Sequence, residues 1–226
     1  MMSSQKGRRE VMSRFFNQDN LFFRIMGTFF DLIVLNLLTL LMCLPIVTAG
    51  ASLTAMHYVL WHMVRGEETY ISRQFFDSFK RNFKQATLIW LVFLVVGIIM
   101  AVDVMVLLAL PREQQWMMGA VVAIVGCVAV AMAQYVFPLL SRYENPIRVQ
   151  VKNAAMLAVG YFPRTLAMLV VLGAFAVAYV HYLAYAIPGI ILLGITLPQY
   201  CCAWLYDTVF RKLDGEDVQG GQASRG

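Results

Sequence analysis

The chain reads as an all-α integral membrane protein: six transmembrane helices arranged as three hairpins, with amphipathic helices on the cytoplasmic side. Three observations predict this. Only 14% of the 226 residues are charged, against about 25% in soluble domains, and the mean hydropathy is +0.68. That charge is nearly confined to residues 1–24, 65–84, 141–164 and 207–226, leaving apolar runs between them. A hydrocarbon core about 30 Å thick takes roughly 20 helical residues to span, and several runs reach that length.

Taken in order, residues 1–24 form a basic N-terminal segment at the cytoplasmic face. No cleavable leader is expected there, because the first apolar run is long and lacks a small-residue cleavage site. Apolar runs at about 25–47, 85–110 and 116–140 each suit one crossing. The stretch 165–206 is about twice as long as one crossing needs. Pro and Gly break helices, so Ile187-Pro188-Gly189 divides it into spans near 165–184 and 189–206. Residues 207–226 are expected to be a disordered polar tail.

The segment 48–64 is short and carries His57 and His62, and a short crossing, a re-entrant hairpin and an interfacial helix are all open to it. Charge decides how to read it. If it crosses, 17 of the 18 Lys and Arg residues fall on one side, with Arg112 alone opposite. Cytoplasmic loops collect Lys and Arg in this way, so six crossings with both termini in the cytoplasm are expected. Trp61, Tyr143, Tyr161, Trp204 and Tyr206 then fall near the inner interface, where amphipathic rings are favoured.

The inner connections have helical character. In 68–85, Phe76, Phe79 and Phe83 share one helical face among Arg73, Lys80, Arg81 and Lys84. Such a helix suits an anionic membrane surface. Residues 146–162 repeat the pattern more weakly and 9–24 offer a third copy, so the chain reads as three units of interfacial helix plus hairpin.

Ionisable groups inside spans are costly and become functional candidates. Asp31 is the chief one, although a structural ion pair with Arg24 or a neighbouring helix, or a hydrogen bond at the helix N-terminus, is the favoured explanation of it. Asn36, Thr48, Thr54 and Gln134 are polar side chains that either bond between helices or line a polar path. His57 and His62 lie about 140° apart around a helix, so they suit a shared metal poorly, and no metal or cofactor is expected. Gly119, Ala123, Cys127 and Ala131 recur every four residues and suit close helix packing. Cys43, Cys127, Cys201 and Cys202 show neither disulfide nor metal spacing. The basic residues flank apolar segments rather than covering one face, so lipid headgroups, not nucleic acid, are the expected partner. No phosphate loop, dinucleotide fingerprint, zinc-protease helix or nucleophile elbow occurs, so an enzyme is not expected.

Residues 31–38 (DLIVLNLL), 44–55 (LPIVTAGASLTA), 64–68 (VRGEE) and 75–86 (FFDSFKRNFKQA) resemble, in order, the YesL family of bacterial membrane proteins, which carry a domain of unknown function. The resemblance is densest over about 20–95. It implies a plasma-membrane protein in the company of carbohydrate-utilisation systems, such as sugar ABC transporter subunits or a regulatory kinase, and it carries over no catalytic residues. The positions it picks out include Asn36, Thr48, Gly50, Arg65 and Asn82. Together with Asp31, Thr54, His57 and Gln134 these form the candidate functional surface. The expected role is a non-enzymatic accessory or scaffold; a small transporter or channel, with a polar path lined by the first hairpin, is the alternative, and an intramembrane enzyme a less favoured third.

Overall fold

The computed structural model describes residues 21–67 and 70–215, and for 21–24 and 183–187 only the backbone. Helix α1 runs Leu21–Cys43, α2 Ala49–Arg65, α3 Ile71–Ala109, α4 Arg112–Arg142, α5 Ile147–Gly160, α6 Phe162–His181, α7 Leu183–Leu193 and α8 Thr196–Leu213. A 3-10 turn, Ile46–Thr48, links α1 to α2, and no strand occurs among the described residues. Four helices are long and apolar enough to cross a membrane: α1 from Ile25, α3, α4 and α6. This is a helical, membrane-type fold. The expected spans 48–64 and 189–206 do not reach that length and apolarity.

Local chemistry sets the boundaries. Leu44-Pro45 stops α1, since proline neither donates a backbone hydrogen bond nor tolerates the preceding helical turn. Helix α2 ends at Gly66, whose φ of 71° is left-handed. Its N–H donates to Met63 O and that of Glu67 to His62 O, the reciprocal pair that closes a helix when glycine follows it. Pro111 and Pro146 precede α4 and α5, where a missing N–H costs nothing.

Helix α2 is the hub. Eleven of its 17 residues are buried, and it runs antiparallel to the first half of α3. Gly50 meets α3 at Ala86 and Trp90 so closely that a Cβ there would lie 2.3 Å from Trp90 Cβ and 2.5 Å from Ala86 O. Further along, the guanidinium of Arg81 covers the Tyr58 ring at 5.2 Å. The α1–α2 corner is fixed at the same level, because Trp90 Nε1 donates to Ile46 O (2.7 Å).

The expected interfacial helix 68–85 differs from this. It is continuous with the following span in one 39-residue helix, about 58 Å long at 1.5 Å per residue. Its buried positions, Ile71, Phe75, Ser78, Asn82, Ala86 and Ile89, recur at the helical period and pack on the hub. Beyond them, no residue from Leu91 to Ala109 is buried. Helices α3 and α4 run antiparallel along their length, with Gly119 against Leu107, Gly126 against Met100, and Phe137 against Trp90 and Phe93. The four-residue small stripe is therefore divided: Ala131 is buried, whereas Ala123 and Cys127 face outward.

Helices α6 and α8 also run antiparallel, with Cys202 at Met168 and Tyr179 at Gly194. The turn does not fall at Pro188, which lies inside α7. The chain instead breaks at Tyr182 and at Gly194-Ile195. The expected tail is also shorter: α8 continues to Leu213, with Asp207, Val209 and Phe210 buried, because this stretch packs against the hub. The three expected units are not equivalent, since α5 is a separate helix whereas 71–85 is not. Most of the third copy (9–24) and residues 216–226 lie outside the described residues.

Candidate functional site

Charged and aromatic side chains converge where the C-terminal ends of α2, α4 and α8 meet. Asp207 is buried on α8, and both of its carboxylate oxygens are bonded: Arg65 Nε donates to Oδ1 at 3.0 Å and Arg211 Nε to Oδ2 at 2.7 Å. A second acid at the end of α8, Asp214, pairs with Arg142 of α4 and accepts a 2.6 Å hydrogen bond from Tyr143 Oη. Trp61 joins the two groups. The guanidiniums of Arg65 and Arg142 lie 4.6 and 4.7 Å from its ring centre, a distance at which a cation is held by the ring quadrupole. His62 Nδ1 bonds the carbonyl of Tyr58 at 2.8 Å, and its Nε2 faces Glu67 at 3.6 Å.

Two clefts open at this charged end. One, about 340 Å³, is lined by Tyr58, Trp61, His62, Arg81, Asn82 and Arg142, among others. The other, about 420 Å³, lies between α1, α2 and α8 and is lined by Asp31, Thr28, Arg65, Glu67, Tyr200 and Trp204. Acid and base thus line the same cleft, in Asp31, Glu67 and Arg65.

The remaining candidates are distributed through the packed interior, except Thr48, which is half-buried at the α1–α2 corner. Asn36 is fully buried and bridges the break between α7 and α8. Its Oδ1 accepts the N–H groups of Ile195 (3.0 Å) and Thr196 (3.1 Å), while its Nδ2 donates to Ile191 O (2.7 Å). The break itself has a local cause. Pro198 has no N–H for the carbonyl of Gly194, which accepts from Tyr179 Oη instead at 3.0 Å. Thr54 bonds Gly50 O at 2.9 Å, and Thr48 closes the corner by donating to Met42 O (2.6 Å) and Pro45 O (2.8 Å). His57 shares a 3.3 Å hydrogen bond with Tyr206 Oη, and Asn82 donates to Ser78 O at 3.1 Å. Gln134 is buried on α4, with its Oε1 lacking a partner among the described residues.

The structure therefore brings Asp31 and Arg65 to one cleft and Asn82 to the other. Asn36 and His57 hold helices together elsewhere, Thr48 closes the α1–α2 corner, and Thr54 bonds within α2. Sequence reasoning missed Asp207 and Asp214, which fell in the expected tail, and treated Trp61 and Tyr206 as interface rings. Tyr206 is fully buried, and Trp61 lies among guanidiniums. The signal for Asp207 was its spacing four residues before Arg211, which places an acid and a base on one helical face.

The chain is similar over 176 residues to YteU of Bacillus subtilis (strain 168), an uncharacterized protein, at 29% identity. The match covers 76% of this chain and 74% of the other. No solved structure matches. Residues 32–104, which hold most of α1, all of α2 and most of α3, match the model of DUF624, a protein family of unknown function.

Proposed function

We propose that the protein is a non-enzymatic accessory or scaffold component of a carbohydrate-uptake system, a YesL-type protein of the bacterial plasma membrane with its charged end in the cytoplasm. The observation that supports this reading is the asymmetry of the molecule. Both charged clefts, the Trp61 cluster and the two ion-pair groups lie at one end. The opposite end of the α3–α4 pair closes through Leu110 and Pro111 alone. A partner from the cytoplasm, such as sugar ABC transporter subunits or a regulatory kinase, meets side chains already held rigid by their mutual bonds. The carbohydrate assignment rests on the resemblance of residues 31–86 to the YesL family.

The test is affinity purification of the full-length tagged protein from membranes of cells grown on single sugars. Recovery of transporter subunits or a kinase, lost in an Arg81→Glu variant, is the expected result. Recovery of neither on any sugar counts against the reading.

A second reading, a small transporter, draws on the cleft that holds Asp31 and on the break at Gly194-Ile195, since transporters place sites at interrupted helices. Its measurement is solute flux into proteoliposomes, abolished by Asp31→Asn.

A further inference from the structure

Two cavities succeed one another along α3, at 79–85 and at 88–96, and their chemistries differ sharply. The lower one, about 720 Å³, is lined by Lys80, Arg81, Lys84, Asn82, Tyr143 and Glu144, among others. Three exposed cations there face a single lining carboxylate, Glu144; the nearest other acid on this helix, Asp77, lies 3.9 Å from Arg73. The upper cavity, about 460 Å³, presents no polar surface. It is a groove between α3, α4 and α5, lined by Leu88, Val92, Ala129, Met132, Ile147 and Val151, with others.

Position links the two. Lys84, Leu88 and Val92 follow one another along α3 at four-residue steps, each turned about 40° from the last, which makes Lys84 the step from the cationic cavity to the apolar groove. On the facing wall, Tyr143 and Glu144 of the lower cavity lie in the short link between α4 and α5, and Ile147 of the upper cavity opens α5 directly after it. The junction is also where α3 passes from charged to apolar sequence, at Gln85-Ala86, the level of a membrane interface.

An apolar groove open toward hydrocarbon fills with hydrocarbon, because water there has no partners. A cationic mouth at its lower end selects for a negative headgroup. We propose that this composite groove binds one anionic glycerophospholipid of the surrounding bilayer. Its phosphate lies against Lys80, Arg81 and Lys84, and an acyl chain runs along Leu88, Val92 and Met132. Charge complementarity carries the assignment: a second copy of this chain would have to bring acidic residues to the mouth together with an apolar ridge for the groove. The site stands independently of the role in sugar uptake.

The test is native mass spectrometry of the full-length protein, released from mild detergent after equilibration with phosphatidylglycerol and phosphatidylcholine of identical chains. The expected result is a monomer retaining one phosphatidylglycerol in preference to phosphatidylcholine. Removing the cations in Arg81→Ala/Lys84→Ala lowers that preference by roughly fivefold for each charge. The exposed control pair Arg73→Ala/Lys212→Ala leaves it unchanged. Ala129→Trp, which fills the groove and spares the cations, lowers retention of both lipids, with folding checked by the thermal midpoint. The proposal is overturned if the wild type shows no headgroup preference, if the control pair acts as strongly as the cavity pair, or if Ala129→Trp leaves retention intact. A dimer without lipid overturns it as well and assigns the groove to a second copy.

Discussion

Asn36 joins two helices that Pro198 and Gly194 keep apart. No β-carbon fits at Gly194, where it would lie 2.5 Å from Ile190 O. With the helix interrupted, the N–H groups of Ile195 and Thr196 and the carbonyl of Ile191 need partners away from water, and one amide serves all three. Asn36→Leu strips these groups of partners and is expected to destabilise the protein by at least about 3 kcal/mol, each of the three unsatisfied buried groups costing about 1–3 kcal/mol. Asn36→Asp is expected to be no rescue, since a carboxylate accepts both N–H groups but repels the Ile191 carbonyl. Thermal unfolding in detergent measures both variants. Asp207 is the corresponding residue at the charged end. Asp207→Asn takes away the counter-charge it gives the Arg65 guanidinium, whose side chain is 13% exposed, a loss of about 3–5 kcal/mol for a broken buried pair. Replacing Asp207 and Arg65 together by Asn and Met is expected to recover much of that, and the double-mutant cycle reads the coupling.

Among the helices, the α1–α2 pair carries the main difference from expectation. Its corner meets α3 at Trp90, only a few residues into the apolar half of that helix. Helix α2 then runs back beside 71–86, the stretch holding Arg73, Lys80, Arg81 and Lys84. A slab that contains 86–109 leaves most of α2 on its charged side. The corner residues Leu44, Ile46 and Val47 are at the same time exposed and apolar, which suits lipid rather than water. A re-entrant hairpin accounts for both facts. The charge count is equally satisfied, because it requires only that the pair return to its side of entry. The check is Val47→Cys in a background lacking the four native cysteines. An impermeant maleimide added outside intact cells is expected to leave it unlabelled, whereas two full crossings would expose it. Glu113→Cys, beside Arg112 at the α3–α4 tip, serves as the labelled control.

For the molecule as a whole, orientation follows from where charge is gathered. With 17 of 18 basic residues toward one side, the charged end is expected to face the cytoplasm. A green fluorescent protein fused after residue 226 is expected to fluoresce, and alkaline phosphatase at the same point to remain inactive. The opposite pair of results would invert the molecule. The exposed apolar surfaces of α3 and α4 belong to this level as well. Nothing from Leu91 to Ala109 is buried, so these residues meet lipid or a partner in the membrane.

Much of this was legible one residue at a time. The apolar runs of α1, α3, α4 and α6, the stop at Pro45 and the concentration of charge each depend on local composition and short-range sterics. The role of Asn36 and the pairing of Arg65 with Asp207 were not legible, because these partners lie 142 to 160 positions apart; only the Asp207–Arg211 spacing was local. Whether Phe75 and Asn82 face lipid or protein depended in the same way on α2 lying beside them. That the chain is helical, apolar enough for a membrane and charged mainly on one side is written in the order of its residues, since transfer free energy and helix geometry act on the local chain. Which half of α3 the hub covers, where the last hairpin breaks and which acids are buried were settled by packing, since burial and hydrogen-bond satisfaction are properties of neighbours brought together in space.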